Sequence, residues 1–283
     1  MRSKVWIGVG LAVAAGSAAD AAMPPAAMSA RTGVVSGAKL WPIADTQGPA
    51  AKPAGQGGEG GEAGAAAAAE PAAVEAAFVS TLYEIQALLL LSNELVLAGD
   101  GKAAAGSLQH VIDELLPKIA AGLAKRQIAS FEPDLTTLVA SVPALSPGIV
   151  GRITAQEDRV ALMAKAGTPG AMPSPARAAA VIASLVKHAA VEYSEAVSDG
   201  GIKQVPEYRY AYSFVSMAQL KLASADHDLA SSDAKAAKAI ADDLAKLKSY
   251  LASLTPPASA LATPAEFTAL ASRIELKASR FLP

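Results

Sequence analysis

The sequence predicts an all-α protein: a bundle of antiparallel helical hairpins, about seven helices, following a disordered N-terminal segment. Three observations lead there. From Val74 to Pro283, long Ala- and Leu-rich segments repeat with helical spacing. Gly and Pro break them at intervals that suit hairpins. No alternating strand pattern of useful length interrupts them.

Residues 1–21 have the layout of a secretory signal peptide. Arg2 and Lys4 precede an uncharged run from Val5 to Ala15, and Ala19-Asp20-Ala21 offers a small-residue cleavage site. The run is too short for about 30 Å of hydrocarbon, so a retained anchor is not expected. Residues 22–70 are rich in Ala, Gly and Pro. Apart from Leu40, Trp41 and Ile43 they hold almost no large apolar side chains, so they should form a disordered linker. Residues 71–283 form the helical bundle domain, with 143–152 as a point of subdivision.

The first helix is expected over about Pro71–Ala98. Phe78, Leu82, Ile85 and Leu89 share one face, and Leu88 to Leu91 widen the stripe, which puts this helix at the centre of a bundle. Gly99-Asp100-Gly101 ends it. The second runs from about Lys102 to Arg126 on a stripe of Leu108, Val111, Ile112, Leu115 and Ile119, with a kink at Pro117. A short helix over Pro133–Val142 and the turn Ser146-Pro147-Gly148 follow. Next come a helix over Ile153–Ala166, a breaker from Gly167 to Pro175, and a helix from Pro175 to Ser198. Asp199-Gly200-Gly201 closes that helix. Another starts at Pro206 and extends to Ser253, with an interruption near Ala223–Asp226. The last opens on a capping box, Thr263 with Glu266, and ends near Phe281.

Composition excludes several functions. Formal charge is −2, and losing Arg2, Lys4 and Asp20 takes it to −3, so no basic surplus draws nucleic acid. With no cysteines there are no disulfides, thiolate metal sites or lipoprotein anchor. No later segment holds 18 consecutive apolar residues. The expectation is therefore a chain with no integral membrane segment after signal removal, in the periplasm or secreted.

The three histidines organise the candidate chemistry. His188 and Glu192 stand one helical turn apart, with Glu195 close to the next turn. They flank an apolar face of Ile182, Leu185, Ala189 and Tyr193, where bundle sites form. His110 and Glu114 repeat the spacing beside Asp113. The helical wheel turns His110 away from the buried stripe, so a solvent-facing pair is the competing reading. For His188 the competing reading is a boundary histidine paired to a carboxylate. His227 should be a solvated cap. Pro206 to Phe214 concentrates aromatics in a chain with few: Tyr208 and Tyr212 share one face, Tyr210 and Phe214 another. These side chains either pack between helical layers or form a pocket wall. Glu59 and Glu62, in the Gly-rich tract, are better read as a soluble spacer than as cation ligands.

Several of these residues carry a resemblance. The tract Gly58-Glu59-Gly60-Gly61-Glu62, the acidic-flanked His110, Ala196 to Ile202 and Pro206 to Val215 resemble an uncharacterised family of exported helical proteins of proteobacteria. Members of that family carry more histidines on the first hairpin, where this chain has Leu88 to Leu91 and Ser107. A more distant similarity is to imelysin-like periplasmic iron-uptake proteins, all-helical with a Gly-x-His-x-x-Glu motif. Gly106 to Asp113 matches that motif loosely, with His110 later than the motif places it and Asp113 for Glu.

The expected function is an exported, non-enzymatic helical binding protein for a transition metal or metal complex. His188, Glu192 and Glu195 are the first candidate ligands, and His110 and Glu114 the second; imidazole and carboxylate donors suit iron, zinc or copper. The alternative is a cell-envelope scaffold or protein-interaction module with no small ligand. Partners are thus a metal ion or an envelope protein. An enzyme is the weakest reading, because no nucleophile–base pair can be named, and the sequence names no cofactor.

The linker reading has a direct check. A chain beginning at Pro71 should melt within a few degrees of one beginning at residue 22, because few apolar side chains are lost. A large fall in melting temperature would mean that Leu40, Trp41 and Ile43 dock on the bundle.

Overall fold

A computed structural model describes residues 71–166 and 174–282. The segments expected to be a signal peptide and a linker, and most of the expected breaker at 167–175, lie outside the described residues. The helices are α1 (Pro71–Leu97), α2 (Gly101–His110), α3 (Leu116–Lys125), α4 (Glu132–Ser141), α5 (Ile149–Ala166), α6 (Ser174–Ala196), α7 (Val205–Tyr250) and α8 (Pro264–Ala278). With α2 and α3 counted as one rod, the described residues hold seven, as the periodicity predicts.

α1 is the helix that the others cover. Leu82, Ile85, Leu88, Leu89 and Leu91 are almost wholly buried. Its neighbours are α2, α3 and α5 on one side, and α6 and α7 on the other. By length and composition, residues Ala73–Leu97 could cross a membrane, which the count of consecutive apolar residues did not anticipate. Glu84 interrupts the run, and the apolar side chains around it are covered by protein.

Each turn has a local cause. α1 ends where the Asp100 N–H reaches back to Leu95 O at 2.8 Å, with Gly99 at φ 80°. Asp100 then caps α2, its carboxylate accepting from the Ala103 N–H at 3.1 Å. α2 and α3 are joined by a wide turn, Val111–Leu115, in which the Leu116 N–H bonds to Val111 O. The kink expected at Pro117 takes this form. Proline offers no N–H to the preceding turn and its ring crowds the carbonyl four residues back, and a π-type turn opens that spacing.

The 46-residue α7 differs from the expected layout. Lys248 Nζ donates to Ser216 Oγ at 2.8 Å, and Arg209 Nε to Leu254 O at 3.2 Å. In a straight helix, residues 32 apart would lie roughly 48 Å from each other. The helix therefore folds back on itself. The break is at Asp233 (φ −152°, ψ 89°), not at Ala223–Asp226. There the Asp233 carboxylate accepts from the Ala236 N–H at 2.9 Å and starts the second arm. Ala225 and Leu229 are buried and keep the earlier stretch helical. The sequence 174–282 thus forms four antiparallel rods: α6, the two arms of α7, and α8.

Two smaller features complete the frame. The end expected for α6 at Ser198 is replaced by a two-residue ladder, Val197–Ser198 against Gly201–Ile202. Asp199 and Gly200, both at positive φ, make its turn. The capping box of α8 is present: the Glu266 N–H donates to Thr263 Oγ1 at 3.2 Å, and the Thr263 N–H to Glu266 Oε2 at 2.8 Å.

α1 and α3 approach closely at Gly122. A Cβ there would collide with the Phe78 ring, which is buried beneath the Arg126 guanidinium, 4.0 Å from the ring centroid. In an open helix, Gly→Ala gains about 1 kcal/mol. Here overpacking costs about 1–3 kcal/mol, so Gly122→Ala should destabilise in urea unfolding. Adding Phe78→Leu should recover part of the loss. A stabilised single variant would refute the close contact.

Candidate functional site

All five residues singled out as metal ligands line one cleft. His110 and Glu114 reach it from the α2–α3 rod, and His188, Glu192 and Glu195 from α6. The first arm of α7 adds Glu207, Tyr210 and Phe214, and Lys118 and Lys187 complete the rim. The cavity measures about 580 Å³. His227 is exposed and takes no part. Two sets read as separate from the sequence thus face each other across one space.

His110 does not face open solvent, as the helical wheel allowed. Its ring lies 4.5 Å from that of Tyr210, centroid to centroid. α6 and α7 cover the flank of α2 that a single-helix wheel leaves bare. Its Nε2 is 3.9 Å from Glu192 Oε1, yet the two do not form an ion pair at neutral pH. Burial pushes the His110 pKa down, with Lys118 acting in the same sense against Glu114 and Glu207. Burial, helped by Glu195 and Glu207, pushes Glu192 up to about 8. Geometry pairs them, but both groups are neutral there, so the contact carries little coulombic energy.

His188 is held differently. Its Nδ1 lies 2.8 Å from Oε1 of Glu84, a carboxylate on α1 with no solvent exposure. The boundary pairing envisaged for His188 therefore exists, and its partner comes from the core. Glu84 did not figure among the candidates. The available signal was a lone acid inside the widened apolar stripe of α1.

The aromatic segment divides as its faces predict. Tyr210 and Phe214 form the cleft wall, and Tyr208 is buried. Tyr212 lies under Lys248 Nζ, 3.4 Å from the ring centroid. Tyr210 holds its phenol proton firmly: burial, with Glu207 and Glu192 nearby, raises it to about 12. One oxygen of Glu207 is buried without a hydrogen-bond partner.

Chemically, the cleft offers carboxylate oxygens, two imidazoles and a phenol, donors suited to first-row transition metals and hard cations. The donors are spread around the walls. Among the described residues, no group of three or more His, Cys, Asp or Glu side chains is close enough together to hold a metal ion. The cavity also exceeds the size of a bare ion, so it suits a hydrated or complexed cation.

A family model described as the iron permease-associated 4-helix bundle domain matches residues 168–283. These residues contain the four rods α6, both arms of α7 and α8. The relationship shown is to an all-helical, iron-related family. No curated protein and no solved structure matches the chain. The match overturns the expected function. A domain associated with a permease points to a part in transport, not to an exported free-standing binding protein or an envelope scaffold. The five residues singled out could not reveal this, because the match spans residues 168–283, a stretch that does not include His110 or Glu114.

The Glu192 shift has a consequence for stability. Between its ordinary value, 4.5, and about 8, the folded protein holds a proton that the unfolded chain has released. Stability contributed by this group is therefore full at low pH and is lost as pH rises to about 8. Glu192→Gln keeps the neutral form at all pH values. Above pH 8 it should be more stable than the parent by on the order of 2–4 kcal/mol in chemical denaturation. Identical pH profiles for the two proteins would rule out a buried, protonated Glu192.

Proposed function

We propose that this chain works in iron transport, holding iron as cargo in the cleft between the α2–α3 rod, α6 and α7, beside a permease. One observation carries the reading: the bundle matched by the iron permease-associated domain supplies two of the three walls of a cleft lined with carboxylates and imidazoles. Glu192, Glu195 and Glu207 attract a cation, and His110 and His188 offer nitrogen donors. Lys118 and Lys187 on the rim suit a cargo that brings an anion with it. Glu192 must give up its proton when a cation binds, so loading should strengthen with rising pH. The signal-like residues 1–21 support work on the periplasmic face of the membrane in which a permease sits.

The test is uptake of radioactive iron by cells of origin at limiting iron. Deleting the chain should lower uptake several-fold, and the wild-type chain should restore it. A His110→Ala/Glu192→Ala double variant should restore it poorly, with zinc and manganese uptake unaffected throughout. Unchanged iron uptake after deletion would overturn the transport reading. Full restoration by the double variant would overturn the cleft as the place of cargo.

A further inference from the structure

A second cavity lies beside the cleft, where the starts of α2 and α7 meet the end of α1. Leu95 and Tyr210 are buried at its floor, with Ala103 beside them. Lys102, Gly106 and Pro206 are exposed at its rim. The volume is about 340 Å³. That is at the lower end of the range for ligand pockets, about 300–1,000 Å³, which are mostly apolar with a few placed polar groups. Three charged side chains line it: Asp100, Lys102 and Arg209. Asp100 is fully engaged, Oδ1 accepting from the Ala103 N–H at 3.1 Å and Oδ2 from Arg209 Nη1 at 3.0 Å. Arg209 Nε donates in turn to Leu254 O at 3.2 Å. Among the described residues, no carboxylate lies within ion-pair distance of Lys102. Asp100 and Arg209 cancel each other, so one uncompensated positive charge stands over an apolar floor.

We propose that this cavity is a binding site of its own, for a small monoanionic amphiphile: a monocarboxylate with a short apolar tail. The carboxylate pairs with Lys102, and the tail lies on Leu95, Ala103 and Tyr210. Gly106 keeps the space open. Glycine is among the poorest helix formers, yet α2 holds one here, well inside the helix. Gly101 on the same helix has a steric reason, since a Cβ there would come 2.7 Å from Val142 O. At Gly106 a Cβ would meet nothing within 4 Å. Packing therefore does not call for glycine at 106, whereas a larger side chain there would take up the room that the tail needs. Tyr210 lines this cavity and the cleft alike, and its ring lies against His110. An occupant thus touches a wall of the cleft without entering it. The proposal goes beyond the transport reading and does not rest on it.

Isothermal titration of the full chain with octanoate tests the site. The wild type should bind octanoate at least about tenfold more tightly than octan-1-ol, which lacks the charge, or octylammonium, which reverses it. Acetate, which lacks the tail, should bind as weakly as these. Lys102→Gln should weaken octanoate about tenfold and remove its advantage over octan-1-ol. Gly106→Leu should block octanoate while melting no lower than the parent. Should that variant fail to fold, Lys102→Gln still decides, because Lys102 is exposed. Glu195→Gln, which alters the cleft and not this cavity, should bind octanoate as the wild type does. No binding of octanoate by the wild type overturns the proposal, as does equal binding of octan-1-ol. Unchanged octanoate binding in folded Gly106→Leu or in Lys102→Gln overturns it too. Loss of binding in Glu195→Gln would put octanoate in the cleft and likewise overturn it. None of these results touches the transport reading.

Discussion

Burial of α1 is the constraint on which the rest of the structure depends. A helix with Leu82, Ile85, Leu88, Leu89 and Leu91 spread over so wide a stripe cannot be satisfied by one partner. Each such side chain gains about 1.5–3 kcal/mol when fully removed from water. The chain meets the demand by covering α1 on one side with α2, α3 and α5 and on the other with α6 and α7. Where those two layers approach each other over the flank of α1, they enclose the cleft. The position of the candidate site therefore follows from the hydrophobic pattern of the first described helix.

The electrostatics of the cleft run against stability. Glu192, Glu195, Glu207 and Glu114 share a confined space, and the protein relieves part of the repulsion by keeping Glu192 protonated up to about pH 8. His110 beside it is held in its neutral form by burial. A surface selected only for folding would place such groups in water or pair them with cations. Elsewhere in this protein that is what happens: Asp243 is bound by Arg273 and Lys277, Asp100 by Arg209, and Glu75 by Arg126. Local departures of this kind, set in a frame that otherwise satisfies its charges, are the electrostatic support for the proposed cargo site.

What the sequence disclosed follows the range of the forces involved. Helices, caps and breakers are local, so the hairpin of α1 and α2, the stop at Gly99-Asp100-Gly101 and the capping box at Thr263 were legible. The fold-back at Asp233 was not: Ser224, Asp226 and Asp228 look as much like breakers as Ser231, Ser232 and Asp233 do. The choice between them was made by burial of Ala225 and Leu229 against other helices. The two histidine pairs were visible from their spacing, but their union in one cleft depends on which helices lie side by side. The same holds for Glu84. Its partner His188 is distant in sequence, and nothing local couples the two.

The match at residues 168–283 provides α6 and α7, hence His188, Glu192, Glu195, Glu207 and Tyr210. It does not provide His110, Glu114 or Lys118, which belong to the α2–α3 rod, nor Glu84 on α1. The cleft is therefore composite. A four-helix bundle of α6 to α8 alone would leave His110's partners open to water and His188 without its core carboxylate. Water would relieve the desolvation that keeps Glu192 protonated. The N-terminal layer thus changes the chemistry of residues that it does not contain. The raised Glu192 pKa and the His188–Glu84 contact arise from the joining of the two layers, and it is the apolar surface of α1 that joins them.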